Sequence, residues 1–423
     1  MGSMYLGTRP AVEASRPSEV LRDRPKVSRN VIMLGLTSMF TDISSEMVVS
    51  VLPLLFVVQL GFSPLQFGAV DGVYQGMAAV VCVLAAVGAD RRQRHKRVAG
   101  TGYGLSTAST LVLVVASGSW VPVLGSIYLD RLGKGIRTAP RDALISLSST
   151  RDRLATSFGV HRAFDTLGAV VGPLLAAVLL AANPSGFDSV FVVSFFTGVI
   201  GFAAFLFFVE ERRAGPDRSP TRSRRSVAAA ALVLLRERPF RRIWLLAVGF
   251  ALLTPGDAML YLALERRVDL PAGYFPLLYF GTSVVFLLAA VPCGRLADKI
   301  GPLRVFIGGE VLLVGAFASV GSRTTGLGMI LATLILLGGF YAATDGVLMA
   351  LVSPMIPGDL RTSGMGLVIG AVAVGHLVAS VAFGAAWAAW GPAAAVHLFM
   401  VGLVGMVVVG AGMLRDRPHV PAA

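Results

Sequence analysis

Charge is scarce in this chain. Only 14% of its 423 residues are Asp, Glu, Lys or Arg, against about a quarter in soluble domains. That shortage excludes an ordinary soluble protein, although length alone would suggest two or three soluble domains. Cysteine is scarcer still. Cys82 and Cys293 lie inside apolar stretches and form no C-x-x-C pair, so they read as small core residues that say nothing of redox compartment. The sequence also lacks H-E-x-x-H, G-x-S-x-G, a G-x-x-x-x-G-K-[ST] loop and any clustered Cys/His set. "RLGKGIR" contains G-K-G without the first Gly or the Ser/Thr of a phosphate loop. The chain is therefore not read as an enzyme, and neither a cofactor nor a metal is expected. A cleavable signal peptide is not apparent either, because the first apolar segment runs from about 30 to 58, as a spanning helix does. "MGSMYL" places Leu6 where myristoylation needs Ser or Thr.

What fills the chain is apolar sequence: 55% of residues are hydrophobic. Stretches of about 20 such residues recur, each long enough for a bilayer core. Twelve spans are predicted, at 30–58, 64–89, 98–118, 120–144, 154–181, 187–209, 241–263, 273–296, 303–321, 326–350, 362–388 and 391–414. They imply a tail (1–29), a six-helix bundle (30–209), a basic linker (210–240), a second six-helix bundle (241–414) and a tail (415–423).

The net charge of +13 is concentrated in the connections. Glu210–Arg242 holds ten arginines, and "DRRQRHKR" (90–97) and the N-terminal tail add more. Basic residues collect in cytoplasmic loops, so the charge reports orientation, with both termini cytoplasmic in the plasma (inner) membrane, and not a nucleic-acid partner. The two halves also look alike. "GADRRQRHKRV" (88–98) and "GRLADKIGPLRV" (294–305) lie about 207 residues apart, as do "RDRLATSFG" (151–159) and "GDLRTSGMG" (358–366).

These segments carry a resemblance. "GRLADKIGPLRV" resembles the signature loop of the major facilitator superfamily, G-x-L-A-D-x-x-G-x-x-R, through Gly294, Asp298, Gly301 and Arg304. The first-half copy keeps Asp90 and the basic run but has Ala86 at the first Gly position. "RLGKGIRTA" (131–139) resembles the fourth-span pattern R-L-x-Q-G-x-G-A-A, with Lys134 and Arg137 in place of Gln and Gly. "GAVVGP" resembles the fifth-span motif of proton-driven antiporters through Gly168, Gly172 and Pro173. The resemblance implies an all-α membrane protein of twelve transmembrane helices in two pseudo-symmetric six-helix halves. It implies a monomeric secondary transporter with a small-molecule substrate, protons and the lipid bilayer as partners, powered by the proton gradient. Asp90 and Asp298 would each cap a helix of the other half, with Arg304 completing the latch.

Charges within the spans are the candidate working residues, because each costs several kcal/mol, about 2.5 to 3.5 on insertion scales, at mid-bilayer. Asp42 and Glu46 share one face of the first span at i, i+4. They either carry protons or are neutralised by basic residues of a neighbouring span. In the fourth span Asp130, Lys134, Arg137 and Arg141 form a stripe flanked by Arg131 and Asp142. Asp130, Arg131 and Lys134 fall near the midplane, within reach of Asp42, Glu46 and Asp165. Arg137, Arg141 and Asp142 fall toward the cytoplasm, with gating or structural roles. In the fifth span Asp165 pairs with either His161 or Arg162. Asp257 sits at mid-depth beside the helix-breaking Pro255–Gly256. Asp345 and His376 stand alone and read first as structural, and Glu310 is expected to pair with the signature loop.

The favoured function is proton-coupled antiport that exports a drug or metabolite. A proton-coupled importer of a small organic anion competes, because Arg131 and Lys134 suit a carboxylate or phosphate. A metal-ion exporter is the third reading.

Overall fold

In hydrocarbon every backbone N–H and C=O must be satisfied within its own segment, so an apolar chain of this length is driven into helices. The computed structural model describes residues 27–74, 77, 95–116, 119–149, 154–211, 234–356 and 361–415, and those residues contain helices and no strand. Helix α1 spans Arg29–Leu54 and ends in a π turn, Leu55–Gln59, just after Pro53. Helix α2 is described from 64 to 74. Then come α3 (His95–Ala116), α4 (Trp120–Leu147), α5 (Leu154–Ala182) and α6 (Phe187–Phe208). Beyond the linker lie α7 (Arg238–Ala251), α8 (Asp257–Val268), α9 (Pro276–Ile300), α10 (Pro302–Gly321), α11 (Leu327–Thr344), α12 (Val347–Val352), α13 (Arg361–Trp390) and α14 (Pro392–Arg415).

Nine helices among the described residues are long and apolar enough to cross a membrane. Three further expected spans fall outside that set. One is α4, whose charges set it apart; one is the broken pair α7 and α8; one is α2, which passes out of the described residues. Large apolar side chains face outward, including Val115, Phe207 and Leu288, each more than two-thirds exposed. An apolar exterior of this kind is a lipid-facing surface.

The interior is held by close backbone approach at small residues. Helix α1 packs on α5 and α6, and α3 on α4 and α6. A Cβ at Gly172 would lie 2.8 Å from both the Glu46 Cβ and the Ile43 carbonyl, so α5 rests on the acidic face of α1. Gly168 meets the Met39 carbonyl and the Asp42 Cβ in the same way. Asn30 ties the start of α1 to Ser148 after α4 (2.7 Å) and to the backbone of Glu210 after α6. In the second group α9 and α10 pack on α11, and α13 on α7 and α14. Arg267 donates to the carbonyls of Val320 and Ser322, where α10 ends and its partial negative charge is exposed.

The two groups meet through α5 with α9 and through α2 with α13. A Cβ at Gly68 would lie 2.5 Å from the Ser380 carbonyl, and one at Gly72 would lie 2.7 Å from that of Leu377. Gly384 returns the contact against Pro64, and Gly273 packs on Ala181. The contacts Gly384–Pro64 and Gly273–Ala181 lie beside the connections after α1, α5, α8 and α13.

The seventh span breaks between Ala251 and Asp257, as Pro255–Gly256 foretells. The tenth also breaks, at Asp345–Gly346, where the sequence reading has a continuous helix. Gly346 takes a φ of 81°, open to glycine at little cost.

Candidate functional site

The charges of α4 sort by the neighbour each one meets. Helices α3 and α4 cross at Gly102 and Gly133, where an added Cβ would strike the other backbone. That crossing brings Ser106 to the guanidinium of Arg137, 2.8 Å from its Nη1. Arg137 is 1% exposed, pairs with Asp42 Oδ1 at 3.3 Å and lies over the Tyr103 ring at 5.0 Å. The partner of Asp42 is thus Arg137, not Arg131 or Lys134. Depth alone had set Arg137 nearer the cytoplasm. One turn further along, Arg141 pairs with Asp142 (2.9 Å), reaches Asp165 of α5 (3.8 Å) and donates to Ser38. Asp165 takes His161 as its second neighbour at 3.7 Å, whereas Arg162 is exposed and joins neither.

Nearer the other end of α4, Asp130 and Arg131 pair with each other at 2.8 Å, and Ser45 donates to Asp130. The Arg131 guanidinium lies 4.2 Å from the centre of the Tyr74 ring, a cation–π contact. The side chain of Arg131 also forms part of the wall of a cavity of about 420 Å³ between the two helix groups.

That cavity is the candidate site. Its size lies within the range of small-molecule sites. Its charged lining is Glu46, Asp71, Arg131, Asp257 and Asp345, and much of the rest is aromatic. Glu46 makes no hydrogen bond or ion pair among the described residues. It feels the charges of Lys134, Arg131, Asp42 and Asp130 from a distance. Asp257 heads α8, at the terminus where free N–H groups favour a carboxylate, and accepts the hydroxyl of Tyr341. Asp345 reaches the cavity because α11 breaks there, and it feels Arg162 and His376. His376 itself contacts the Thr254 carbonyl at 2.7 Å.

Sequence reasoning gave no role to Asp71, Tyr74 or Tyr341. Asp71 is a lone carboxylate inside the apolar run "FGAVDGVY", the same signal that marks Asp257. Its Oδ2 accepts the Ser380 hydroxyl at 2.7 Å, and Ser380 accepts the N–H of Gly256 at 2.9 Å. One strap therefore joins α2, α13 and the break between α7 and α8. An added Cβ at Gly256 would come within 2.1 Å of Asp71 Oδ2, so the carboxylate would have to shift. Gly256→Ala is expected to push the carboxylate off Ser380 and to cost about 1–3 kcal/mol, the usual range for overpacking. Thermal melting in detergent checks this, and wild-type melting would show that the strap carries no weight.

Other sequence-derived candidates lie elsewhere. Glu310 is buried in α10 with Oε2 unpartnered among the described residues, so it does not pair with the signature loop; it sits too deep in the helix packing. Asp298 and Arg304 are exposed at the facing ends of α9 and α10, and Arg304 donates to the Ile300 carbonyl at 3.2 Å. Gly294 and Gly301 flank them, with no atom within reach of an added Cβ. Asp90 and Cys82 lie outside the described residues. No group of three or more His, Cys, Asp or Glu suited to a metal ion occurs among the described residues.

Comparison with known proteins agrees with this architecture. An uncharacterized MFS-type transporter of Methanocaldococcus jannaschii is 29% identical over 377 residues, covering 86% of this chain and 89% of the relative. The multidrug resistance protein MdtG of Dickeya zeae is 26% identical over 300 residues, covering 68% and 70%. Among solved structures, the nucleoside transporter NupG superposes with a TM-score of 0.76 at 14% identity, over 91% of this chain and 99% of its own. A POT family transporter in complex with 5-aminolevulinic acid gives 0.78 at 13% identity, over 93% and 97%; at such identities these two likenesses speak for the fold. The sequence profile of the Major Facilitator Superfamily matches residues 34–280, more than half of the chain. The chain is a multi-pass membrane protein and belongs to the major facilitator superfamily of secondary transporters.

Proposed function

We propose that the protein is a proton-coupled antiporter that exports a small molecule across the plasma (inner) membrane. The carrying observation is Glu46. It is a carboxylate on the wall of the cavity between the halves, free of an ion-pair partner among the described residues and backed by Gly172 of the antiporter-type motif. An antiporter needs proton and cargo to exclude one another, and a single carboxylate open to both provides that exclusion. A ligand shifts a two-state equilibrium only by its differential affinity for the two states. A loaded Glu46 and a protonated Glu46 must therefore favour reorientation, and an empty charged one must oppose it.

The remaining charges take supporting roles in this reading. The pair Asp42–Arg137 holds α1, α3 and α4 together. Asp130 neutralises Arg131, which speaks against an importer of organic anions built on that guanidinium. If both termini are cytoplasmic, the closely packed end at Gly384–Pro64 and Gly273–Ala181 would be the outer one, which supports reading the state as inward-facing. The signature residues Asp298 and Arg304 would then latch only in the outward-facing state. The distant likeness to a protein named for multidrug resistance supports export.

The test is a flux measurement. In proteoliposomes with the pH dye pyranine inside, addition of cargo to the side that it leaves should release protons in proportion to cargo moved. Cargo movement without proton movement, or cargo and protons moving in the same direction, overturns the antiport reading.

A further inference from the structure

We propose that the cargo of this cavity is an organic monocation with an aromatic or bulky apolar body. The proposal rests on the reading of the cavity as the antiporter's cargo site.

Charge carries the first part. Among the described residues the wall presents Glu46, Asp71, Asp257 and Asp345 against the single cation Arg131. Arg131 is already committed, paired to Asp130 at 2.8 Å and stacked on Tyr74. Asp71 is committed to Ser380. Glu46 and Asp345 remain without a hydrogen-bond partner among the described residues, Asp257 is engaged only by the Tyr341 hydroxyl, and a proton on one of the three still leaves the wall acidic. An anion entering here would have to displace Asp130 from Arg131. One feature pulls the other way: the Nε–H of Arg131 is buried without an acceptor among the described residues. It lies in the field of Asp130 and Glu46, which meets any incoming anion first.

The aromatic lining carries the second part. Tyr74, Tyr261, Tyr279, Phe286 and Tyr341 share the wall with the carboxylates. Ring faces attract cations, and more strongly where water is excluded. The protein already uses one of these rings in that way, since Tyr74 holds the Arg131 guanidinium 4.2 Å from its centre. A cavity of about 420 Å³ exceeds the needs of a bare metal ion and suits a drug-sized molecule.

Tetraphenylphosphonium and tetraphenylborate share a shape and differ in the sign of their charge, so the pair isolates the prediction. Binding to the full chain in nanodiscs should favour the phosphonium by at least about tenfold, or 1.4 kcal/mol. Glu46→Gln and Asp257→Asn should each weaken phosphonium binding by about tenfold. Asp345→Asn stands in if either fails to reach the wild-type melting temperature. The proposal is overturned if the borate binds as tightly, if wild type does not bind the phosphonium, or if binding ignores all the substitutions. Flux separates this from the antiport reading, with membrane potential clamped by potassium and valinomycin. A phosphonium that binds but is not driven by a pH gradient overturns antiport and leaves the cargo class standing. Proton-driven export of an anion in the absence of phosphonium binding does the reverse.

Discussion

Glu46→Gln is expected to lower pH-gradient-driven transport by about a hundredfold or more while cargo-for-cargo exchange, measured at saturating cargo, stays within about threefold of wild type. A hundredfold loss corresponds to about 3 kcal/mol of coupling. The reasoning is local. Glutamine keeps the shape of the side chain against Gly172, whose missing Cβ leaves α5 no room for anything larger at that contact. What the substitution removes is the capacity to lose a proton. Exchange requires only that a loaded carrier reorient in both directions, which a permanently neutral residue 46 permits. Net antiport also requires a proton-loaded return, which it does not permit as a regulated step. Counterflow with labelled cargo and gradient-driven flux, measured on the same proteoliposomes, separate the two. Equal losses in both at saturating cargo would give Glu46 a role in cargo binding or structure without a role in proton coupling. Wild-type rates in both would remove it from the mechanism.

The fold could be read from the sequence because its causes are local. Apolar length sets a span, basic residues mark the connections, and Pro255–Gly256 announces the break between α7 and α8. The break at Asp345–Gly346 was not legible. It has no proline, and the glycine acts there through a positive φ that composition does not reveal. Helix α4 with its six charges and the broken pair α7 and α8 are likewise spans with an extra demand on them.

The site was legible in kind and not in pairing. Counting 1.5 Å per residue places a charge at a depth. It does not say which neighbouring helix crosses at that depth, and that decides every pair. Asp42 meets Arg137 because Gly102 and Gly133 let α3 and α4 cross there, and Asp165 meets Arg141 because α5 lies alongside. Asp71 needed no neighbour to be noticed. The sequence reading passed it over although a lone carboxylate in an apolar run is signal enough, and its partner Ser380, 309 residues away, is found by no local rule.

Arg137→Met should be among the most damaging substitutions in the protein, and the pair Asp42→Asn with Arg137→Met should repair most of the damage. Arg137 is almost wholly buried and its carboxylate partner is buried with it. Breaking such a pair from one side leaves an uncompensated charge and costs about 3–5 kcal/mol, whereas replacing both partners with uncharged residues of similar volume is often neutral. Methionine fills much of the space under Tyr103, and asparagine keeps the outline of Asp42. The single variant is expected to melt well below wild type by fluorescence-detected gel filtration, and the double variant near it. A single variant as stable as wild type would mean that Asp42 is satisfied without Arg137. The double variant also decides between the two roles open to Asp42. If it folds and retains gradient-driven flux, Asp42 serves to anchor α1 to α4. If it folds and loses that flux while exchange survives, Asp42 carries protons together with Glu46, and the coupling site extends one helical turn inward along α1.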